Sequence, residues 1–244
     1  MPATERLYLG TGLHIQEELH LGRYRFASSR IETGTMVLDA ACGSGYGSAI
    51  LAQHARHVVG VDVSADALAH ARAHYQVPNI EFIQADLSRP LALPDRSCDA
   101  VVSFETIEHV RDQHAMLAEF HRVLAPGGTL IVSSPDRDII SGKAHEVNEF
   151  HVAELSKPEF VDLIGRHFQI VELYGQMRYE LSTWKTAARQ LARQGPFGLR
   201  RRVRSWRLGA LIDGVLAPSH RLLEAVSPTS PGEHWWLIAV ATKR

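Results

Sequence analysis

Three glycines at alternate positions, Gly43, Gly45 and Gly47, follow the apolar Val37-Leu38 and the acidic Asp39, and they are the residues that most directly suggest ligand chemistry. Glycine lacks a Cβ, so a loop of this kind can take positive φ and bring backbone N–H groups against a ligand at the positive end of the following helix. A carboxylate or a ribose fits such a place. The spacing separates ligand classes: a dinucleotide fingerprint needs its third glycine at position 48, where this chain has Ser48. Further on, Val58-Val59-Gly60-Val61-Asp62 reads as a second apolar strand ending in an acid, where a ribose-binding carboxylate belongs.

Two places offer groups for proton transfer or metal binding. The first is Phe104-Glu105-Thr106-Ile107-Glu108-His109. If a helix starts there, Glu105, Glu108 and His109 share one face. Two carboxylates and an imidazole suit Mg²⁺ or Mn²⁺, which would bind substrate oxygens and acidify a hydroxyl. The same face can instead shape a pocket or cap the helix, with His109 as base or wall. The second place is His145-Glu146-Val147-Asn148-Glu149-Phe150-His151-Val152-Ala153-Glu154-Leu155, in which His151 is the preferred general base for a hydroxyl or a protonated amine. Its alternative role is to order a loop through hydrogen bonds.

The elements that must position these residues alternate between strand and helix patterns from Thr35 to Ser134, as expected of βα repeats around a parallel sheet. Strands are expected at Met36-Ala40, His57-Asp62, Ile80-Gln84, Cys98-Phe104, Thr129-Ser134, Phe168-Tyr174 and Trp235-Thr242. Helices are expected at Gly47-His54, Ala65-Tyr75 and Asp112-Val123, the last stopped by Pro126-Gly127-Gly128.

In this order the motifs resemble those of the class I S-adenosylmethionine-dependent methyltransferases. Asp39 to Gly47 is similar to the D-x-x-C-G-x-G-x-G form of their first motif, Phe82 to Asp86 to the segment flanking the adenine, Ser97 to Val102 to the fourth segment, and Leu124 to Leu130 to L-x-P-G-G-x-L. Upstream, Leu19-His20-Leu21-Gly22-Arg23-Tyr24 partly matches an E-H-L-H-R-Y segment of bacterial methyltransferases from natural-product and glycoconjugate pathways. Glu105 to His109 resembles the E-x-x-E-H pattern that holds a divalent metal in ubiquinone-type O-methyltransferases and small-RNA 2′-O-methyltransferases, and His151 to Leu155 resembles the family's H-x-x-E-[FL] segment. The resemblance implies a Rossmann-like, doubly wound α/β fold with a seven-stranded sheet of order 3-2-1-4-5-7-6, the last strand antiparallel. It implies S-adenosylmethionine as cofactor, held by Arg23, Asp39, Ala41, Gly43, Gly45, Asp62, Val63, Ala85, Asp86, Leu87 and Phe104. Arg23 would pair with the methionine carboxylate; otherwise it is a solvated helix residue.

A chain of 244 residues, 45% of them apolar, can bury one substantial core, so a single domain over 1–244 is expected, with an N-terminal helical cap over 1–34. A net charge of −1 argues against general nucleic-acid binding. Cys42 and Cys98 follow no disulfide or zinc spacing, and no apolar run approaches a membrane span, so a cytoplasmic protein is expected. Between Tyr174 and Trp235 lie about sixty residues where the minimal fold needs a short connection, and residues 176–233 read as a helical insertion. Its second helix, Leu199-Leu216, carries Arg200, Arg201, Arg204 and Arg207 beside an apolar stripe. A substrate lid, a homodimer element, peripheral contact with anionic lipid and extra core all fit that pattern. The expected function is methyl transfer to an oxygen of a small-molecule acceptor, a sugar or secondary metabolite. The alternatives are N-methylation of a small molecule and a non-catalytic cofactor-binding protein.

Overall fold

The computed structural model describes residues 14–140, 150–178, 223–229 and 234–244. The chain opens with helix α1 (His14–Arg30) and continues through strand β1 (Met36–Ala40), α2 (Tyr46–Leu51), β2 (His57–Asp62), α3 (Ala65–His74), β3 (Ile80–Gln84) and β4 (Cys98–Ser103). A 3₁₀ turn (Ile107–His109), α4 (Gln113–Val123), β5 (Leu124–Pro135), α5 (Arg137–Ile140), α6 (Lys157–His167) and β6 (Gln169–Arg178) follow, and β7 (Leu223–Ala225) and β8 (His234–Thr242) complete it.

The strands form one eight-stranded sheet in the order β3-β2-β1-β4-β5-β8-β6-β7. Strands β1 to β5 pair in parallel, and β8 inserts antiparallel between β5 and β6. The strand order reverses at β1, so β1 and β4 diverge to their two neighbours and leave a crevice at their carboxyl ends, the usual ligand position in such sheets.

Two expectations need correction. The sheet has eight strands and not seven: Leu223–Ala225, within the expected helical insertion, pairs with the outer edge of β6, Tyr174 facing Ala225 and Gln176 facing Leu223. Pairing there satisfies backbone groups that the edge of β6 would otherwise expose. Leu223–Ala225 is therefore extended; the expected helix Leu199-Leu216, with its arginines, lies outside the described residues. Strand β5 also begins at Leu124 and takes in Pro126-Gly127-Gly128, because Leu124 pairs with Cys98 and the backbone of Lys243 bonds with Gly127 and Gly128.

Alternation along the strands sends neighbouring side chains to opposite faces. Leu38, Val101, Leu130 and Val132 face α4 and α6, packing with Met116, Leu117, Phe120, Phe160 and Ile164. Val37, Val58, Val102, Ile131 and Ile238 pack on the other face with Tyr24, Ala27 and Leu51 from α1 and α2. Both faces are thus covered, as a parallel sheet requires, and the strand ends at the crevice are held rigidly. Asp112 accepts from the Ala115 N–H at 2.9 Å and Ser64 from the Ala67 N–H at 3.2 Å, fixing where α4 and α3 start. Among the described residues no helix is long and apolar enough to cross a membrane.

Candidate active site

The carboxyl ends of β1 and β4 both run into left-handed backbone at residues other than glycine: Ala41 has φ 63° and Glu105 has φ 50°. Such conformations cost free energy, and their place on both lips of the crevice makes it a candidate functional site. Gly43, at φ 55°, needs the same region, yet a Cβ there would meet nothing within 4 Å. The glycine is therefore explained by its backbone conformation and by the open space beside it, not by packing. Gly47 is explained by packing: a Cβ would fall on the ring of Tyr24, so α1 can lie against α2 only at a glycine.

Asp62 ties the second motif to the first. Its Oδ2 accepts from the Gly43 N–H at 3.0 Å and its Oδ1 from the Ser64 N–H at 2.8 Å. Beside it lies a cavity of about 180 Å³ lined by Ala41, Asp62, Val63, Ala85, Asp86, Leu87, Thr106, His109 and Val110. Six of the residues expected to hold the cofactor thus line one cavity. Val63 is 52% exposed, an unusual position for an apolar side chain that a planar ring could cover. The Ser88 backbone N–H and hydroxyl both donate to Asp86 and hold its carboxyl below the usual range.

Three other expected cofactor residues sit elsewhere. Asp39 is fully buried, with Oδ1 accepting from the Tyr24 hydroxyl at 3.0 Å and Oδ2 from the Ser48 hydroxyl at 2.6 Å. Burial pushes its carboxyl up to about 6, against those two hydrogen bonds. It clips the cap helix and α2 to the strand that carries the loop. Phe104 packs edge-on against Tyr24, ring centroids 5.0 Å apart, as part of the same clip. Arg23 is 1% exposed, which excludes the solvated role; Nη1 donates to Gln176 Oε1 at 2.7 Å, Nη2 lies 3.9 Å from Glu105 Oε1, and the guanidinium stands 5.6 Å from the centre of Trp236. Among the described residues, its Nε and Nη2 have no hydrogen-bond acceptor. A buried cation with unsatisfied donors is costly, and a ligand carboxylate would satisfy them.

The expected helical face of Glu105, Glu108 and His109 does not form. A 3₁₀ turn covers Ile107–His109, and the left-handed Glu105 precedes it. Glu105 is held on the β5 and β8 side, accepting from Ser133 at 3.0 Å and from Trp236 Nε1 at 2.6 Å. His151 completes the group instead: one ligating atom each from Glu108, His109 and His151 lies within 4.8 Å of the others. Glu108 is buried, and burial followed by the nearby charge of Glu105 raises its carboxyl well above the usual range. Its Oε2 has no hydrogen-bond partner among the described residues.

The two imidazoles meet edge to face with centroids 4.9 Å apart. His109 Nδ1 lies 2.9 Å from the Phe150 carbonyl, and His151 Nδ1 lies 2.6 Å from Glu154 Oε1. Gln113 joins the two segments, donating to the carbonyls of Ile107 at 2.9 Å and Ala153 at 2.7 Å, while the Ala153 N–H donates to the Glu108 carbonyl at 3.0 Å. Sequence reasoning did not assign roles to Glu154, Gln113, Thr106 or Trp236. Glu154 had a local signal, its i, i+3 spacing from His151; Thr106 lies within the Phe104-His109 motif and Gln113 four residues past it, while Trp236 comes from a distant segment. His109 lines the same cavity as Asp62 and Val63, so the imidazole pair sits beside it.

An open α/β sheet with an acid-tethered glycine loop at its switch point and a cavity beside it has the architecture of a nucleotide-cofactor-binding protein. The methyltransferase-domain family profile matches residues 38–132. A probable S-adenosylmethionine-dependent methyltransferase of Mycolicibacterium smegmatis is 42% identical over 132 residues, 54% of this chain and 50% of that protein. The ubiquinone biosynthesis O-methyltransferase of Xylella fastidiosa strain M23 is 30% identical over 193 residues, 70% of this chain and 75% of that protein. The methyltransferase solved with the Haloferax volcanii Trm112 activator superposes with a TM-score of 0.65 at 20% identity, covering 93% of this chain and 92% of that one. The chain belongs to the class I S-adenosylmethionine-dependent methyltransferases. It spans about half the length of the mycobacterial relatives it matches.

Proposed function

We propose that this chain transfers the methyl group of S-adenosylmethionine to an oxygen of a small-molecule acceptor, a sugar or secondary metabolite. The observation that carries the reading is the imidazole pair, His109 and His151, beside the cavity that gathers Ala41, Asp62, Val63, Ala85, Asp86 and Leu87. The cofactor supplies a methyl on a positively charged sulfur, and in-line approach of the acceptor oxygen completes the transfer. Asp62 would accept from ribose hydroxyls, the exposed Val63 and the apolar wall at Ala85 and Leu87 would cover the adenine, and Arg23 would hold the methionine carboxylate. His151 takes the hydroxyl proton as the oxygen–carbon bond forms, which an amine acceptor would need less. Asp39 and Phe104 serve the same site indirectly, holding the loop and the cap.

A second reading adds a divalent cation. Glu108, His109 and His151 would hold it, each imidazole having its Nδ1 beside an oxygen, and the buried Glu108 Oε2 without a partner fits a cation's donor set. The cation would lower the pKa of a bound hydroxyl. Turnover of labelled S-adenosylmethionine against phenols, sugars and amines, with and without EDTA, separates these readings. Label in hydroxyl acceptors regardless of EDTA supports the imidazole base. Loss in EDTA with recovery in Mg²⁺ or Mn²⁺ supports the cation, and label in amines alone contradicts the oxygen acceptor.

A further inference from the structure

We infer that Glu154 is a positioning residue that fixes His151 in the Nδ1–H tautomer and so leaves Nε2 as the ring's proton acceptor. The inference rests on reading His151 as the base. An imidazole can carry its proton on either nitrogen, and only the nitrogen without a proton can accept one. The 2.6 Å contact between His151 Nδ1 and Glu154 Oε1 decides between them: an ionised carboxylate can only accept, so Nδ1 must donate.

Both side chains are mostly shielded, 16% exposed for His151 and 17% for Glu154, so water competes poorly for the bond. The backbone on either side is pinned from several directions. Gln113 and the Glu108 carbonyl hold Ala153, Arg137 Nη1 donates to the Glu154 carbonyl at 3.2 Å, and the Arg137 N–H donates to the Leu155 carbonyl at 2.9 Å. The backbone that carries the Glu154 side chain is therefore fixed relative to the ring. Beside it, His109 has Nδ1 against a backbone carbonyl, which likewise can only accept, so that neighbouring ring is held in the same way without a carboxylate. The difference matters when a proton arrives on His151: Glu154 also faces the imidazolium that forms, whereas a carbonyl offers only its dipole.

Nitrogen NMR of the full chain with labelled histidines, loaded with S-adenosylhomocysteine and assigned against His151→Ala, reads the tautomer directly. The neutral His151 ring is expected as Nδ1–H in the wild type. It should remain so in Glu154→Gln, whose amide oxygen still accepts, and move towards Nε2–H in Glu154→Ala. In transfer assays Glu154→Ala should lower kcat by about 10- to 100-fold, with KM for S-adenosylmethionine unchanged and part of the loss restored in Glu154→Gln. A wild-type ring in the Nε2–H form, or identical ring shifts in all three proteins, overturns the inference. So does full turnover in Glu154→Ala when His151→Ala has lost it. If the tautomer responds as expected but His151→Ala turns over normally, the positioning role stands and the assignment of His151 as base fails.

Discussion

The two sides of the crevice are built differently. The cofactor side is made mostly of backbone and of residues adjacent in sequence: the loop after β1, the acid that ends β2 and accepts from Gly43, and the short run Ala85-Asp86-Leu87 after β3. The proposed acceptor side is made of side chains drawn from distant segments: a 3₁₀ turn after β4, a ring and a carboxylate from the stretch before α6, and a tryptophan from β8. A ligand common to a whole family is held by features that are short and local. A ligand particular to one protein is met by groups whose meeting depends on the whole fold.

The sharpest way to break this division is to remove one side and watch the other. His151→Ala should slow transfer by about 100-fold or more while calorimetry finds S-adenosylhomocysteine binding unchanged, because general bases contribute in that range and the ring is not among the residues lining the cofactor cavity. Gly43→Val should do the reverse. A branched side chain at φ 55° costs roughly 1–3 kcal/mol, which weakens S-adenosylhomocysteine by about 10- to 100-fold in the same titration.

A third variant tests the clip behind both sides. Gly47→Ala places a methyl on the Tyr24 ring, and thermal or urea unfolding should show a loss of about 1–3 kcal/mol. The smallest effect expected is a change of slope with pH. The Asp39 carboxyl sits at about 6 in the fold and lower when unfolded, so between roughly pH 4 and 6 the folded state binds more protons and stability falls as pH rises. Asp39→Asn should flatten that stretch of the stability profile measured by urea unfolding, and an unchanged slope would remove the assignment.

The same contrast explains what could be read before the structure. Gly43 and Asp62 stood out because each motif carries its own geometry, a loop needing φ above zero and a strand ending in an acid, whereas the run Ala85-Asp86-Leu87 was implied only by the family resemblance. The core of the sheet order, with β8 antiparallel between β5 and β6, is the one the family resemblance implies; the early start of β5 and the edge strand Leu223–Ala225 escaped, the latter since three residues give no period to count. The acceptor side was half legible. His109 and His151 stood out by type and place, but the helical face of Glu105, Glu108 and His109 assumed an α-helix where the backbone makes a tighter turn, and Glu105 went to Ser133 and Trp236. Asp39 stood out as an acid at a strand end, but the hydroxyls of Tyr24 and Ser48 that hydrogen-bond to it are found only through packing.

On the proposed reading an imidazole beside the acceptor drives transfer to a hydroxyl while the loop side holds the donor. The most direct test is label transfer from S-adenosylmethionine to a panel of phenols, sugars and amines, run in parallel with wild type and His151→Ala after both are shown to bind S-adenosylhomocysteine equally. Label in a hydroxyl acceptor that largely disappears in His151→Ala is the predicted result. Label confined to amines, or undiminished in the variant, would contradict it.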